Sequence, residues 1–313
     1  MNYIVFDLEW NQSARGKAGS NKKLPFEIIE IGAVKLDENL REIGRFHELV
    51  KPKVYRDMSR IIGGIVHMNM DDLKEAESFS KVARHFLSFC GKNYIFCTWG
   101  NQDITELQSN MQFFHVPPLG RGPIRYLDVQ KLFSLEREGK KHQYSLEYAV
   151  DEFHINKTVP FHRALDDAYY TSRVLEKLAR ANLTLYSFDT FRAPKSRKEE
   201  IRIMFPTYYK YISRTFRNKG EALKDKDVRT GGCYLCEKKT TPVVEQFTPN
   251  GKYYLSVHRC AEHGLIKSKI RVKKDSTKKT FVIKTMRQIS EEELTPIMEK
   301  AEKVKLAMAK KSE

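Results

Sequence analysis

The sequence predicts a three-layer α/β domain, a mixed sheet flanked by helices, followed by a smaller, cysteine-bearing C-terminal part. Three observations predict it. "YIVFDLEW" (3–10) and "NYIFCTWG" (93–100) are apolar on both faces, as central strands covered by helices on both sides are. Strand-like and helical periodicities alternate over the first 180 residues or so, the pattern of a sheet with helices packed on it. The charge is uneven: residues 1–180 carry 26 Lys+Arg and 24 Asp+Glu, whereas residues 181–313 carry 30 and 16. Of the net +16, +14 therefore falls in the C-terminal part and only +2 in the first 180 residues.

The elements follow in order. After the first strand, "FEIIEIGAVKLDENLREIGRFHELVKP" (26–52) reads as two strands joined by the turn "LDENL". In "DDLKEAESFSKVARHFLSFCG" (71–91), Phe79, Val82, Phe86 and Phe89 fall on one helical stripe. "NQDITELQSNMQFFHV" (101–116) is helical and stops before Pro117-Pro118. "IRYLDVQKLF" (124–133) is a strand running into a helix, and "SLEYAVDEFHI" (145–155) is a helix capped by its serine. "HRALDDAYYTSRVLEKLARA" (162–181) is a long amphipathic helix. Tyr, Phe and basic residues then interleave in "FPTYYKYISRTFRNKGEALK" (205–224). A Cys/His group with strand-like runs follows, and a helix from Ser290 carries Glu at its start and Lys at its end, as the helix dipole favours. The expected domains are residues 1–182, a basic and aromatic linker or subdomain at 183–229, a small domain at 230–285 and a helical tail at 286–313.

Composition bounds the rest. A chain of 313 residues with 41% hydrophobic residues can bury a substantial core in about two domains. "MNYIVFDLEWNQSARGK" lacks the basic start, long apolar run and cleavage site of a signal peptide, and no window reaches the length of a membrane span. A cytoplasmic protein without membrane contact is expected, in which five cysteines form no disulfide framework. The basic surplus suits a polyanion, nucleic acid first and an anionic membrane surface second, or simply a solvated lysine-rich face.

Asp7 and Glu9 stand two apart in an apolar strand, so both point to one face. Two buried like charges are costly unless a cation lies between them, and hard oxygen ligands favour Mg²⁺ or Mn²⁺ over Zn²⁺. The alternative is that the strand ends at Phe6 and both carboxylates are solvated. Asp103 follows the strand "IFCTWG" and a turn, and "PFHRALDDAYYT" sets His162 and an acidic pair at the start of the long helix.

"FDLEW" with "IIEIGAVKL", then "WGNQD", then "HRALDDA" with four residues between His162 and Asp167, resemble in order the three motifs of the DEDDh 3′-5′ exonucleases. This RNase H-like group contains proofreading exonuclease domains and RNase T. The resemblance covers about residues 1–180 and implies an RNase H-like exonuclease domain there. It implies that Asp7, Glu9, Asp103 and Asp167 hold two Mg²⁺ or Mn²⁺ ions, which activate a water and stabilise the departing 3′ oxygen. His162, a side-chain type that titrates near neutrality, would take the water's proton. The helix face rule favours Asp166 as the partner of His162, but the family spacing favours Asp167. Pro160 and Phe161 imply an extended approach, which places His162 before the helix and selects Asp167.

The implied substrate is a single-stranded nucleic acid shortened from its 3′ end to nucleoside 5′-monophosphates. "WG" before Asp103 resembles the RNA-trimming branch related to histone-mRNA 3′ exonucleases, which favours RNA. DNA proofreading or repair, and a non-catalytic nucleic-acid-binding protein on the same fold, are the alternatives. By the same resemblance Leu8 and Trp10 are candidates for contact with the terminal nucleotide, with core packing the alternative for Leu8. His67 and Met68 are candidates for the nucleotide pocket, and Glu30 for support of the metal ligands. The protein partners are unknown.

"CYLC" (233–236) and "CAEH" (260–263) flank an apparent hairpin at "TPNGKYY", and this spacing suggests one structural Zn²⁺ held by Cys233, Cys236, Cys260 and His263 in a zinc-ribbon-like domain. His258 is the alternative fourth ligand. Lysines of such a domain would contact phosphates, and Tyr208, Tyr209, Tyr211 and Phe216 would stack on bases or seal a domain junction.

Overall fold

The computed structural model describes residues 1–138, 143–229 and 232–309. The chain divides into two compact units, Met1–Phe191 and Arg192–Glu313. Among the described residues no helix is long and apolar enough to cross a membrane.

The first unit is built on a seven-stranded mixed sheet. Its strands are β1 (Asn2–Asn11), β2 (Glu27–Leu36), β3 (Glu42–Lys51), β4 (Glu77–Ser78), β5 (Tyr94–Thr98), β6 (Arg125–Asp128) and β7 (Ser187–Phe188). They lie in the order β4-β3-β2-β1-β5-β6-β7. β1, β2 and β3 pair antiparallel, as the "LDENL" turn requires, while β5 joins β1 and β6 joins β5 in parallel. The helices are α1 (Arg60–Val66), α2 (Phe79–Cys90), α3 (Gln102–Phe113), α4 (Val129–Glu138), α5 (Leu146–Glu152) and α6 (Ala164–Lys177). Ser145 caps α5 by accepting the amide of Tyr148, as its position before the helix predicts.

The two faces of the sheet carry two cores. Ile4, Phe6 and Leu8 of β1 pack with Phe79, Val82 and Phe86 of α2 and with Ile104 and Leu107 of α3. Val5 packs on the opposite face with Leu132, Phe133, Val150, Tyr170 and Val174. The period of two along β1 therefore sends Asp7 and Glu9 to the face that α6 covers.

The second unit is a six-stranded antiparallel sheet with helices. Its elements are β8 (Ile201–Phe205), β9 (Tyr208–Ile212), α7 (Lys219–Lys224), α8 (Lys226–Arg229), β10 (Thr241–Phe247), β11 (Tyr254–Cys260), β12 (Gly264–Lys274), β13 (Thr280–Gln288) and α9 (Glu291–Ala309). The order is β10-β11-β12-β13-β9-β8, so β9, drawn from the interleaved aromatic stretch, and β8 just before it continue the sheet that carries the Cys/His group. Tyr211 and Phe216 lie in a core with Ala222, Val228, Ile270 and Val282. Val244, Val257 and Leu265 pack against Leu294, Ile297 and Ala301 of α9.

Candidate metal and catalytic centre

Three elements converge on one place. β1 presents Asp7 and Glu9, and Asp7 is in register with Gly32 of β2. Gly32 leaves room for the first turn of α6: a Cβ there would stand 2.0 Å from the Leu165 nitrogen and 2.2 Å from the Ala164 carbonyl carbon. That close approach brings Asp167, in the first turn of α6, over β1. One carboxylate oxygen each from Asp7, Glu9 and Asp167 lie within 4.8 Å of one another. Asp103, in the first turn of α3 and 5% exposed, is not in that set but acts electrostatically on Asp7 and Glu9.

The electrostatics are those of a cation site. Burial, then the neighbouring carboxylates Asp103, Glu9 and Asp167, push the Asp7 carboxyl well above its ordinary range. Glu9 is pushed up to about 8 by burial and by Asp167 and Glu30. Burial raises Asp103 to about 7 against the pull of the amides of Asp103 and Leu8. Burial likewise raises Asp167 to about 6 against the amide of His162. One oxygen of Asp167, Oδ1, is buried and has no hydrogen-bond partner. A buried carboxylate oxygen in that state is costly, and a divalent ion satisfies it.

His162 lies on the exposed bend before α6, in the left-handed region at φ 68°. Its amide donates to Asp167 Oδ2 at 3.2 Å. His162 therefore lies before the helix, which begins at Ala164, where the face rule for positions four apart does not apply.

The match to a family model decides what this arrangement belongs to. The exonuclease family of RNase T matches residues 4–175, which include every carboxylate described above. The chain belongs to the RNase T exonuclease family. Its first unit is a 3′-5′ exonuclease domain of the DEDDh type. A Bacillus subtilis relative, "Probable 3'-5' exonuclease KapD", is 29% identical over 168 residues, 53% of this chain and 78% of its own length. Among solved structures, cell-death related nuclease 4 aligns over 56% of this chain and 62% of its own length, at 19% identity and a TM-score of 0.47. The nuclease domain of 3′hExo, bound to rAMP, aligns over 56% and 90%, at 18% identity and a TM-score of 0.48.

The remaining exonuclease residues singled out in the sequence are placed as follows. Leu8 is 2% exposed within the core beside Phe6, and Met68 is 6% exposed in a cluster with Ile29, Val66 and Leu73. Trp10 is partly buried, with its ring 5.9 Å from that of Phe26. His67 is exposed and ends α1 in a left-handed conformation. Glu30 is fully buried and bonded to His47 and Arg163. Sequence reasoning missed Asn11 and Glu27. Asn11, fully buried, donates to the carbonyl of Asp57 and accepts the amide of Ser59. Glu27 accepts the amides of Lys53, Val54 and Tyr55 at 2.6–3.0 Å. Both fix the loop that leads into α1, and the signal for each is a polar residue in an otherwise apolar strand.

The second unit gathers Cys233, Cys236, Cys260 and His263, with one ligand atom from each within 4.8 Å of the others. The sulfurs of Cys236 and Cys260 are 3.6 Å apart, and His263 Nδ1 is 3.6 Å from Cys233 Sγ and 3.7 Å from Cys260 Sγ. Burial pushes the Cys260 thiol up, but bonds from His263 and the amides of Glu262 and His263 bring it down to about 6. A Cys3His set of this kind suits zinc. His258 stands on β11 in register with Ile266 and is not in the set.

Proposed function

We propose that this chain removes nucleotides from the 3′ end of a single-stranded nucleic acid, RNA in preference to DNA, and releases nucleoside 5′-monophosphates. The observation that carries the reading is the meeting of Asp7, Glu9 and Asp167 around a partnerless carboxylate oxygen. Asp7, Glu9 and Asp167, with Asp103 beside them, would hold two Mg²⁺ or Mn²⁺ ions. Bound there, such ions would supply Lewis-acid chemistry: they would make water acidic enough to give up the proton whose loss turns it into a nucleophile, and would offset the charge of the departing 3′ oxygen.

The other steps fall to the chain. His162 takes the proton of the attacking water, since it is an exposed imidazole on the segment tied to Asp167. Trp10 and His67, both reachable from solvent, bound the end of the strand being cut. Leu8 and Met68 support that surface from the core. Trp99 and Gly100 before Asp103 support the preference for RNA. Zn²⁺ at Cys233, Cys236, Cys260 and His263 is structural, because four protein ligands leave no open position for substrate. The basic surplus of residues 181–313 suits contact with phosphates without reading sequence.

The test is digestion of matched 5′-labelled single-stranded RNA and DNA with Mg²⁺ or Mn²⁺, running wild type beside Asp7→Ala. A ladder that shortens from the 3′ end, faster on RNA and lost in the variant, supports the reading. Faster DNA digestion turns it toward repair. Tight binding with no shortening of either strand turns it toward a non-catalytic binding protein.

A further inference from the structure

Glu30 is a fifth carboxylate at this centre that the exonuclease chemistry does not use. It stands on β2 in register with Glu9, and its side chain is fully buried. It is nevertheless outside the group of three that can share an ion. Its contacts account for this. His47 Nε2 lies 2.6 Å from Oε1. Arg163 Nε donates to Oε1 at 3.2 Å and to Oε2 at 3.1 Å, and its second terminal nitrogen donates to Oε1 at 3.0 Å. Burial would push the Glu30 carboxyl up, but the bonds from His47 and Arg163 hold it below its ordinary value. Both oxygens of Glu30 are thus committed to Arg163 rather than to an ion.

The other end of that ion pair is at the start of α6. Arg163 is the N-cap of α6, with extended backbone at φ −133° and ψ 131° and no capping bond from its side chain. Helix starts favour Ser, Thr, Asp or Asn there, because those side chains satisfy free amides. Arg163 gives up that role and reaches to the sheet instead. Its carbonyl still accepts the amide of Asp167 at 2.9 Å. The residue before it, His162, has the left-handed backbone that non-glycine residues resist. Asp167 Oδ2 holds His162 by its amide on one side, and Arg163, pinned to β2, holds it on the other.

We propose that Arg163, braced by Glu30, is a positioning residue for His162: it fixes the segment that presents the imidazole to the scissile end. The proposal rests on the reading of His162 as the base. A planar guanidinium with several donors suits the task, because it fixes orientation as well as distance. Positioning errors of an ångström cost about 10²-fold in rate.

The test is the steady-state kinetics of His162→Ala, Arg163→Ala, Arg163→Lys and the double variant His162→Ala/Arg163→Ala on a labelled single strand that the wild type digests. Arg163→Ala leaves Glu30 buried without its guanidinium partner, so Glu30→Gln/Arg163→Met, alone and with His162→Ala, is measured beside it and keeps the test open if the single variant fails to fold. Arg163→Ala is expected to lower kcat about 10²-fold with KM within about 2-fold, and Arg163→Lys to recover part of the loss. The double variant is expected to be no slower than His162→Ala within about 2-fold, because the two residues act as one unit. Losses that multiply, or a raised KM with kcat kept, would overturn the positioning role and give Arg163 a direct contact with substrate. Wild-type turnover by His162→Ala would instead overturn the reading of His162 as the base, and the positioning role with it.

Discussion

Asp7 faces Gly32 across the β1–β2 ladder, and Gly32 lacks a side chain where the backbone of α6 needs the space. A methyl group there would stand 2.0 Å from the Leu165 nitrogen, which is backbone and cannot turn aside. Gly32→Ala is therefore expected to lift the start of α6 and carry Asp167 away from Asp7 and Glu9. Turnover should fall by about 10²-fold or more, and stability by about 1–3 kcal/mol. Kinetics on a labelled single strand and urea unfolding measure the two effects. Wild-type turnover in Gly32→Ala would show that α6 has another way to reach the carboxylates.

The raised carboxyls set a pH dependence whose sign can be worked out. Unfolded, these acids ionise near pH 4. Folded and free of divalent ions, Asp167 holds its proton to about 6, Asp103 to about 7 and Glu9 to about 8, each chiefly through burial. Between about pH 4 and pH 8 the folded state binds more protons than the unfolded one, so these groups contribute less stability as pH rises. A divalent ion replaces those protons and stabilises the charged forms, so its effect grows with pH. In buffer free of Mg²⁺ and Mn²⁺, Tm should fall between pH 5.5 and 8, and added Mn²⁺ should raise it more at pH 8. Asp7→Asn should diminish both effects. A rise of equal size at the two pH values would contradict this account of the site.

Much of the first unit was legible because period and composition speak for single elements. The apolar strand with Asp7 and Glu9, the "LDENL" hairpin and the serine-capped α5 each carry a local signal, and each forms. The meeting of Asp167 with β1 was legible only by resemblance, since nothing local says which strand a helix will cover. Gly32 carries the physical reason, and one glycine in a strand does not announce a helix above it. The roles of Arg163 and His47 at Glu30 were illegible for the same reason: an arginine before a helix reads as a surface residue until its partner on β2 is known. In the second unit the interleaved aromatics misled. Tyr211 alternates with basic residues in sequence, yet the sheet turns it to the face that α7 and α8 cover.

Tyr211 and Phe216 accordingly behave as core residues and not as base-stacking platforms. Tyr211 is 1% exposed and Phe216 6%. Truncating a buried aromatic costs about 3–5 kcal/mol. Tyr211→Ala and Phe216→Ala should lower the unfolding free energy by that order. At temperatures where the variants stay folded, affinity for a single strand should stay within about 2-fold, because neither ring reaches solvent. Equilibrium unfolding and fluorescence anisotropy separate the two effects. A specific loss of affinity at full stability would return these rings to the binding surface.

The cysteine group allows a test that leaves the carboxylates untouched. Cys233, Cys236, Cys260 and His263 come from a knuckle before β10 and from the β11–β12 turn, so an ion there ties two segments about 24 residues apart in sequence. The knuckle is tight: Cys233 donates its amide to the Lys238 carbonyl at 2.9 Å, and Glu237 turns at φ 57°. Structural zinc binds peptides of this kind with an apparent free energy of about 10–16 kcal/mol. One zinc per chain is expected by elemental analysis, and none in Cys260→Ala. In that variant trypsin should open residues 192–313, while Met1–Phe191 stays protected because its core lies in a different sheet. Cleavage of a dinucleotide, too short to need a second contact surface, should then survive. Loss of that cleavage with the first unit still protected would tie the cysteine group to the reaction, and an absence of zinc in the wild type would leave the cysteines as a reduced thiol cluster.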